Sequence, residues 1–170
     1  MHAAQARTAS LALEPQARAS VRRLARANST PEDRDRILTM WAALHAESRY
    51  ADFTTFSPKK VRATLEALLA SPRGIVLLGD PPRGFMWGGC AAYAFADESY
   101  STNAALYVEP ATRGSFLAVS LIRAYERAAR AQGVSEILID VNSGVSTERT
   151  ARLYERLGYR AIGGLFSKRA

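Results

Sequence analysis

The stretch Leu106-Tyr107-Val108-Glu109-Pro110-Ala111-Thr112-Arg113-Gly114-Ser115-Phe116-Leu117-Ala118 carries the change of period on which the fold turns. Residues 101–108 read as a strand, and Glu109-Pro110 ends it because proline has no amide hydrogen to continue a ladder. From Ser115 to Gln132 the apolar positions recur at helical spacing: Leu117, Leu121, Tyr125 and Ala128 on one side, with Ala118, Ile122 and Ala129 beside them. A strand end, a glycine turn and a helix start predict several unpaired backbone amides converging at the positive end of a helix dipole. Gly114 lets an anion approach the backbone, Ser115 offers a hydroxyl, and Arg113 adds a charge-assisted bond. An ordinary capped helix that binds nothing would use the same residues.

Downstream, Gly133 is the natural helix stop, and Ile137-Leu138-Ile139-Asp140-Val141 is a β-branched run. Strand, helix and strand in that order predict a crossover with parallel strands. Thr147 to Leu157 reads as a final amphipathic helix stopped by Gly158, and Tyr159–Ile162 with Leu165–Ser167 as a closing hairpin about Gly163-Gly164. Upstream, Gly74–Gly79 and Phe85–Phe95 read as a hairpin around Asp80-Pro81-Pro82-Arg83-Gly84, with Gly88-Gly89 marking a bulge or a close backbone approach. Two helices precede it. Thr30 caps the first, with Pro31 at its first position and Glu32 and Asp33 at its positive end; the second opens at Ser57-Pro58 and stops at Ser71-Pro72. Val21 to Leu24 fits a short edge strand, so the predicted order is β-α-α-β-β-β-α-β-α-β-β.

Composition bounds the function. The chain has 170 residues and a net charge of +7, with 48% hydrophobic and 23% charged residues, which is one small basic α/β domain able to bury a core. A lone Cys90 excludes an internal disulfide and a multi-cysteine zinc site, and His2 and His45 stand too far apart for a local metal pair, so no metal is expected. No apolar run is long enough to span a membrane, so a soluble, cytoplasmic protein is expected. Residues 1–30 hold Arg7, Arg18, Arg22, Arg23 and Arg26 against Glu14 alone, so much of the basic excess sits at the start. Residues 1–19 read as a basic extension and 20–170 as a single domain.

Two segments resemble the GNAT superfamily of acetyl-coenzyme A dependent N-acetyltransferases. Val108, Pro110, Arg113, Gly114 and Ala118 match its coenzyme A loop, with Phe116 standing where a second glycine is usual, a ring that would tighten or partly fill the loop. Leu153-Tyr154-Glu155-Arg156-Leu157-Gly158-Tyr159 is similar to its Leu-Tyr-Glu-x-Leu-Gly-Phe/Tyr segment. The resemblance implies a GNAT fold, a central mixed sheet of six to seven strands with helices on both faces, working as a monomer or homodimer. It implies acetyl-CoA as cofactor, held by Tyr107, Val108, Arg113, Gly114, Ser115, Phe116, Leu117, Ala118, Asn142 and Tyr154. A backbone amide near Tyr107 or Val108 would polarise the acetyl carbonyl, and Tyr154 would assist the leaving sulfur. With a tyrosine pKa of about 10 against about 8.5 for a thiol, full proton transfer is uphill by roughly 2 kcal/mol, so Tyr154 is expected to donate a hydrogen bond.

An amine acceptor of lysine-like pKa, about 10.4, must shed a proton before attack at neutral pH. Glu47 and Glu98 are the candidate catalytic bases, with His45 beside them, because the end of the first helix and the strand beyond Phe95 are acceptor regions in that family. Two alternatives draw on the charge: a nucleic-acid-binding protein using the fold as scaffold, and an acetyltransferase acting on a tRNA-borne amine. A coenzyme A molecule is itself a polyanion, so the basic excess does not by itself require nucleic acid.

Overall fold

The start of the first helix shows how closely local chemistry sets the architecture. Asp33 N donates to Thr30 Oγ1 at 3.2 Å and Thr30 N donates back to Asp33 Oδ2 at 3.2 Å, a reciprocal cap with Pro31 at the first helical position. Arg22 then reaches across to Asp33 Oδ1 at 2.8 Å, fastening the first strand to that helix. A computed structural model describes residues 20–169, and the expected basic extension over 1–19 lies outside them.

The elements are β1 (Ser20–Leu24), α1 (Pro31–Glu47), a 3₁₀ turn (Arg49–Asp52), α2 (Pro58–Ala70), β2 (Gly74–Asp80), β3 (Gly84–Ala92), β4 (Ser99–Val108), a 3₁₀ turn (Pro110–Thr112), α3 (Leu117–Arg130), β5 (Glu136–Leu138) and α4 (Thr147–Arg156). They form one five-stranded mixed sheet in the order β1-β2-β3-β4-β5, antiparallel through β4 and parallel between β4 and β5. β2 is buried on both faces because its side chains alternate between two cores. Ile75 and Leu77 pack with Leu121, Ile122 and Tyr125 of α3, while Val76 and Leu78 pack with Ile37, Met40 and Leu65 of α1 and α2. Helices therefore cover both faces, as the sequence predicts.

Gly88 marks the β-bulge in β3, where the register with β4 shifts between Trp87 and Gly88. A Cβ there would lie 2.2 Å from the Thr102 carbonyl oxygen and 2.6 Å from the Tyr125 hydroxyl, so the glycine is a packing requirement of the sheet and of α3.

The sheet departs from expectation at its far edge. Among the described residues it has five strands, not six to seven: β5 pairs over Glu136–Leu138 alone, and the hairpin expected about Gly163-Gly164 is not formed. Ile162, Leu165 and Phe166 are 66%, 75% and 94% exposed. A hairpin needs a partner strand or an apolar face to bury, and so short a β5 supplies neither. Instead the last residues cross toward the first 3₁₀ turn, where Arg49 Nη1 donates to Ser167 Oγ at 3.3 Å and the Arg169 guanidinium lies 4.8 Å from the Phe53 ring centre.

Candidate active site

β4 and β5 pair only at Tyr100–Thr102 with Glu136–Leu138, then diverge. At the point of divergence a side chain replaces the ladder: Asn103 Oδ1 accepts from Asp140 N at 3.1 Å. The gap opens into a cavity of about 710 Å³, bounded by β4, the loop into α3, the residues after β5, α4 and the end of α1. Arg49 closes its rim by donating from its backbone N to Ser143 O at 2.9 Å and from Nε to Asn142 O at 3.0 Å.

One wall is the predicted cradle. Gly114 adopts φ +95°, which turns the chain so that α3 starts at Leu117 with Phe116 as its cap. Ser115 Oγ accepts from Leu117 N at 3.3 Å, and the amides of Gly114, Phe116, Ala118 and Val119 have no acceptor among the described residues. A Cβ on Gly114 would stand 3.5 Å from Arg149 Nη2, filling the space between bare backbone and a guanidinium. Phe116 is 56% exposed, so its ring flanks the cradle and does not plug it.

Arg113 lines the cavity beside the cradle and is also tied to its neighbours. Its Nε donates to Val108 O at 2.9 Å, its Nη2 lies 2.5 Å from Glu47 Oε2, and its Cζ is 5.6 Å from the Tyr107 ring centre. Tyr107 donates its hydroxyl to the other oxygen, Glu47 Oε1, at 3.2 Å; burial, and then the Glu47 charge, raises the Tyr107 pKa. Both Glu47 oxygens are thus occupied, and this candidate base is a brace between α1 and the end of β4 that does not line the cavity. Further cations stand on α4, where Arg149, Arg152 and Arg156 line the cavity with Arg113. The sequence reading leaves them unassigned within the last amphipathic helix, although their 3- and 4-residue spacing places them on one helical stripe.

The opposite wall carries the remaining candidates. Tyr154 is 6% exposed, lines the cavity, and has its pKa raised by burial first and by the Asp140 charge second. Asn142 lines the same region and donates from Nδ2 to Asp140 Oδ2 at 3.0 Å. His45 also lines it, 2.8 Å from Thr54 Oγ1; the Thr54 hydroxyl donates to Tyr50 O, so His45 Nε2 is the donor in that pair. Glu98 is not brought in: it is exposed in the β3–β4 turn, at the other end of a strand that spans about 30 Å from Val108. Asp140, which the sequence reading leaves unassigned, is the lining carboxylate among the described residues. A charged residue closing an apolar strand was the available signal.

The model of the acetyltransferase (GNAT) domain matches residues 75–161, which takes in β2 through α4 and every wall of the cavity except the end of α1 and the turn after it. The chain belongs to the GNAT acetyltransferase family. No curated protein matches this acetyltransferase, whereas solved structures do. It superposes on AAC(6')-Iy in complex with the bisubstrate analogue CoA-S-monomethyl-acetylneamine with a TM-score of 0.68 at 14% identity, over 89% of this chain and 97% of that one. An aminoglycoside acetyltransferase, HMB0005, from an uncultured soil metagenomic sample gives a TM-score of 0.66 at 19% identity, covering 89% and 98% of the two chains. A putative acetyltransferase from Arthrobacter sp. FB24 gives 0.66 at 24% identity, covering 89% and 95%. At these identities the structures speak for the fold, and the family carries the activity: this GNAT acetyltransferase uses acetyl-CoA. The unpaired amides above Gly114 and the arginines of α4 fit the polyanionic end of that molecule.

Proposed function

We propose that this acetyltransferase transfers acetyl to the nitrogen of an amine by direct attack within a ternary complex. The observation that carries the reading is the continuity of one cavity from the bare amides of the α3 start, along the unpaired edge of β4, to Tyr154. Acetyl-CoA supplies the activated acetyl thioester. The amides of Gly114, Phe116, Ala118 and Val119, the Ser115 hydroxyl and the guanidinium groups of Arg149, Arg152 and Arg156 hold its phosphates, and Asn142 borders the path between.

The alternation of a strand selects the carbonyl-polarising amide. Glu109 N donates to Arg83 O on the β3 side at 2.9 Å. Tyr107 N therefore also faces β3, and the amides of Leu106 and Val108 face the gap beside β5. Val108 N is the donor nearest the cradle, while Tyr107 contributes the hydroxyl that steadies Glu47 and, through it, Arg113. Tyr154 holds its proton on Oη, since burial and the Asp140 charge both oppose ionisation, and offers it as a hydrogen bond to the departing sulfur.

Titration calorimetry with coenzyme A tests the reading. Saturable binding that weakens as salt rises is expected, because the site holds phosphates through charge; no binding at millimolar coenzyme A would overturn it.

A further inference from the structure

The walls of the cavity differ in charge. Arg149, Arg152 and Arg156 stand on the side of the cradle. The side formed by α1 and the turn after it presents Trp41, Leu44, His45, Ser48, Tyr50 and Thr54, apolar, aromatic and hydroxyl groups and an imidazole, with no carboxylate among the described residues. Glu47 is turned away into its pair with Arg113, and Asp52 is exposed with Arg169 3.7 Å from it. Among the described residues one carboxylate faces the space, Asp140.

Asp140 is held in place from several directions. Asn103 of β4 fixes its backbone amide, and Asn142 donates to one carboxylate oxygen. Tyr154 of α4 faces it closely enough to feel its charge, and Arg49 is turned to the Asn142 carbonyl, not to the carboxylate. The residue is exposed to the cavity, and partial desolvation by the groups around it pushes its carboxyl pKa up.

We infer that Asp140 binds the ammonium group of the acceptor and receives its proton, and that the acceptor is a monoamine with an apolar or aromatic body. The inference rests on the N-acetyltransferase reading above. In the step, an N–H bond of the ammonium breaks and an O–H bond forms on Asp140. The electron pair stays on nitrogen as the nucleophile, and the proton passes from the carboxyl to cavity water. The second proton lost by nitrogen on acetylation balances the one gained by the sulfur. An acceptor with several ammonium groups would satisfy one at Asp140 and bring the rest against neutral groups or arginines, so polyamines are disfavoured.

The test uses the full chain and Asp140→Asn. Monoamines, phenethylamine among them, and spermidine are titrated by calorimetry into the complex with coenzyme A, in which no transfer occurs. The best monoamine is expected to bind more tightly than spermidine and to lose about 10-fold or more in affinity in the variant, while coenzyme A affinity stays unchanged. Transfer from acetyl-CoA is then compared for that amine and for phenylhydrazine, which is uncharged at neutral pH. The variant is expected to lose about 100-fold with the amine and only a few-fold with the hydrazine. Equal losses on both acceptors, unchanged amine affinity, or preference for spermidine would overturn the inference. Failure of the wild type to bind coenzyme A would overturn the underlying reading instead.

Discussion

The two edges of β4 solve opposite problems. Against β3 the strand is paired through nine residue pairs from Ser99 to Val108, with one bulge; against β5 it is paired through three. The first edge is closed by backbone hydrogen bonds and by side chains alternating into two hydrophobic cores. The second is held apart by single polar contacts, Asn103 to Asp140 and Arg49 to the loop after β5, and the space between is the cavity. The difference teaches where this fold places stability and where it places chemistry: amides left free on β4 are free because β5 stops at Leu138. Substitutions on the two edges should therefore separate cleanly into losses of folding and losses of turnover.

The largest effect is expected on the closed edge. Gly88→Val would drive a branched side chain into the Thr102 carbonyl and the Tyr125 hydroxyl, with backbone on one side and a buried ring on the other. Relief requires the β3–β4 ladder to part, so a loss of about 3 kcal/mol or more is expected in urea unfolding, or failure to fold. A soluble variant with an unchanged urea midpoint would show that the closed edge is more pliable than its packing implies.

On the open edge, Tyr154→Phe removes one oxygen from a residue whose ring packs 5.8 Å from that of Tyr159 and against the α3 core. Stability should change little, whereas turnover should fall about 10- to 100-fold through loss of the donor to the departing sulfur. Unchanged turnover, measured with saturating acetyl-CoA, would remove Tyr154 from the chemistry and leave it a core residue.

Legibility follows the same division. The closed edge and its helices are written in local pattern: the glycine-bounded apolar run of residues 75–78, the Thr30-Pro31 cap and the helical repeat from Leu117 are all local signals, and all appear in the structure. The cradle and Tyr154 are legible because short motifs carry them. What escaped depends on contacts distant in sequence. Glu47 looks like a free acid until Arg113, 66 residues on, is seen to occupy it. Glu98 lies near acceptor-region residues in the chain but at the far end of β4 in space. The arginines of α4 carry no local signal of a role, because the cradle they face belongs to a different element. Gly163-Gly164 is good turn chemistry between apolar residues, yet a hairpin also needs an edge, and the length of β5 is a tertiary outcome.

The smallest effect sharpens the comparison by standing wholly outside the open edge. Asp33 joins α1 to β1, and its carboxyl pKa is held below the ordinary value first by the hydrogen bond from Arg22, against the opposing pull of partial burial. A carboxylate whose folded pKa is depressed contributes stability that is present above its unfolded pKa of about 3.9 and is lost as pH falls through the folded value. Asp33→Asn keeps an oxygen able to accept from Thr30 N and gives up the charge beside Arg22 and the helix start. The variant should be less stable by about 1 kcal/mol at neutral pH, with its urea midpoint approaching that of the wild type as pH drops below about 4. Coenzyme A affinity and turnover should be untouched, because neither partner of the pair lines the cavity. A gap that persists unchanged in acid would assign the loss to altered packing at the cap; a fall in coenzyme A affinity would mean that the closed edge, through α1, also sets the width of the open one.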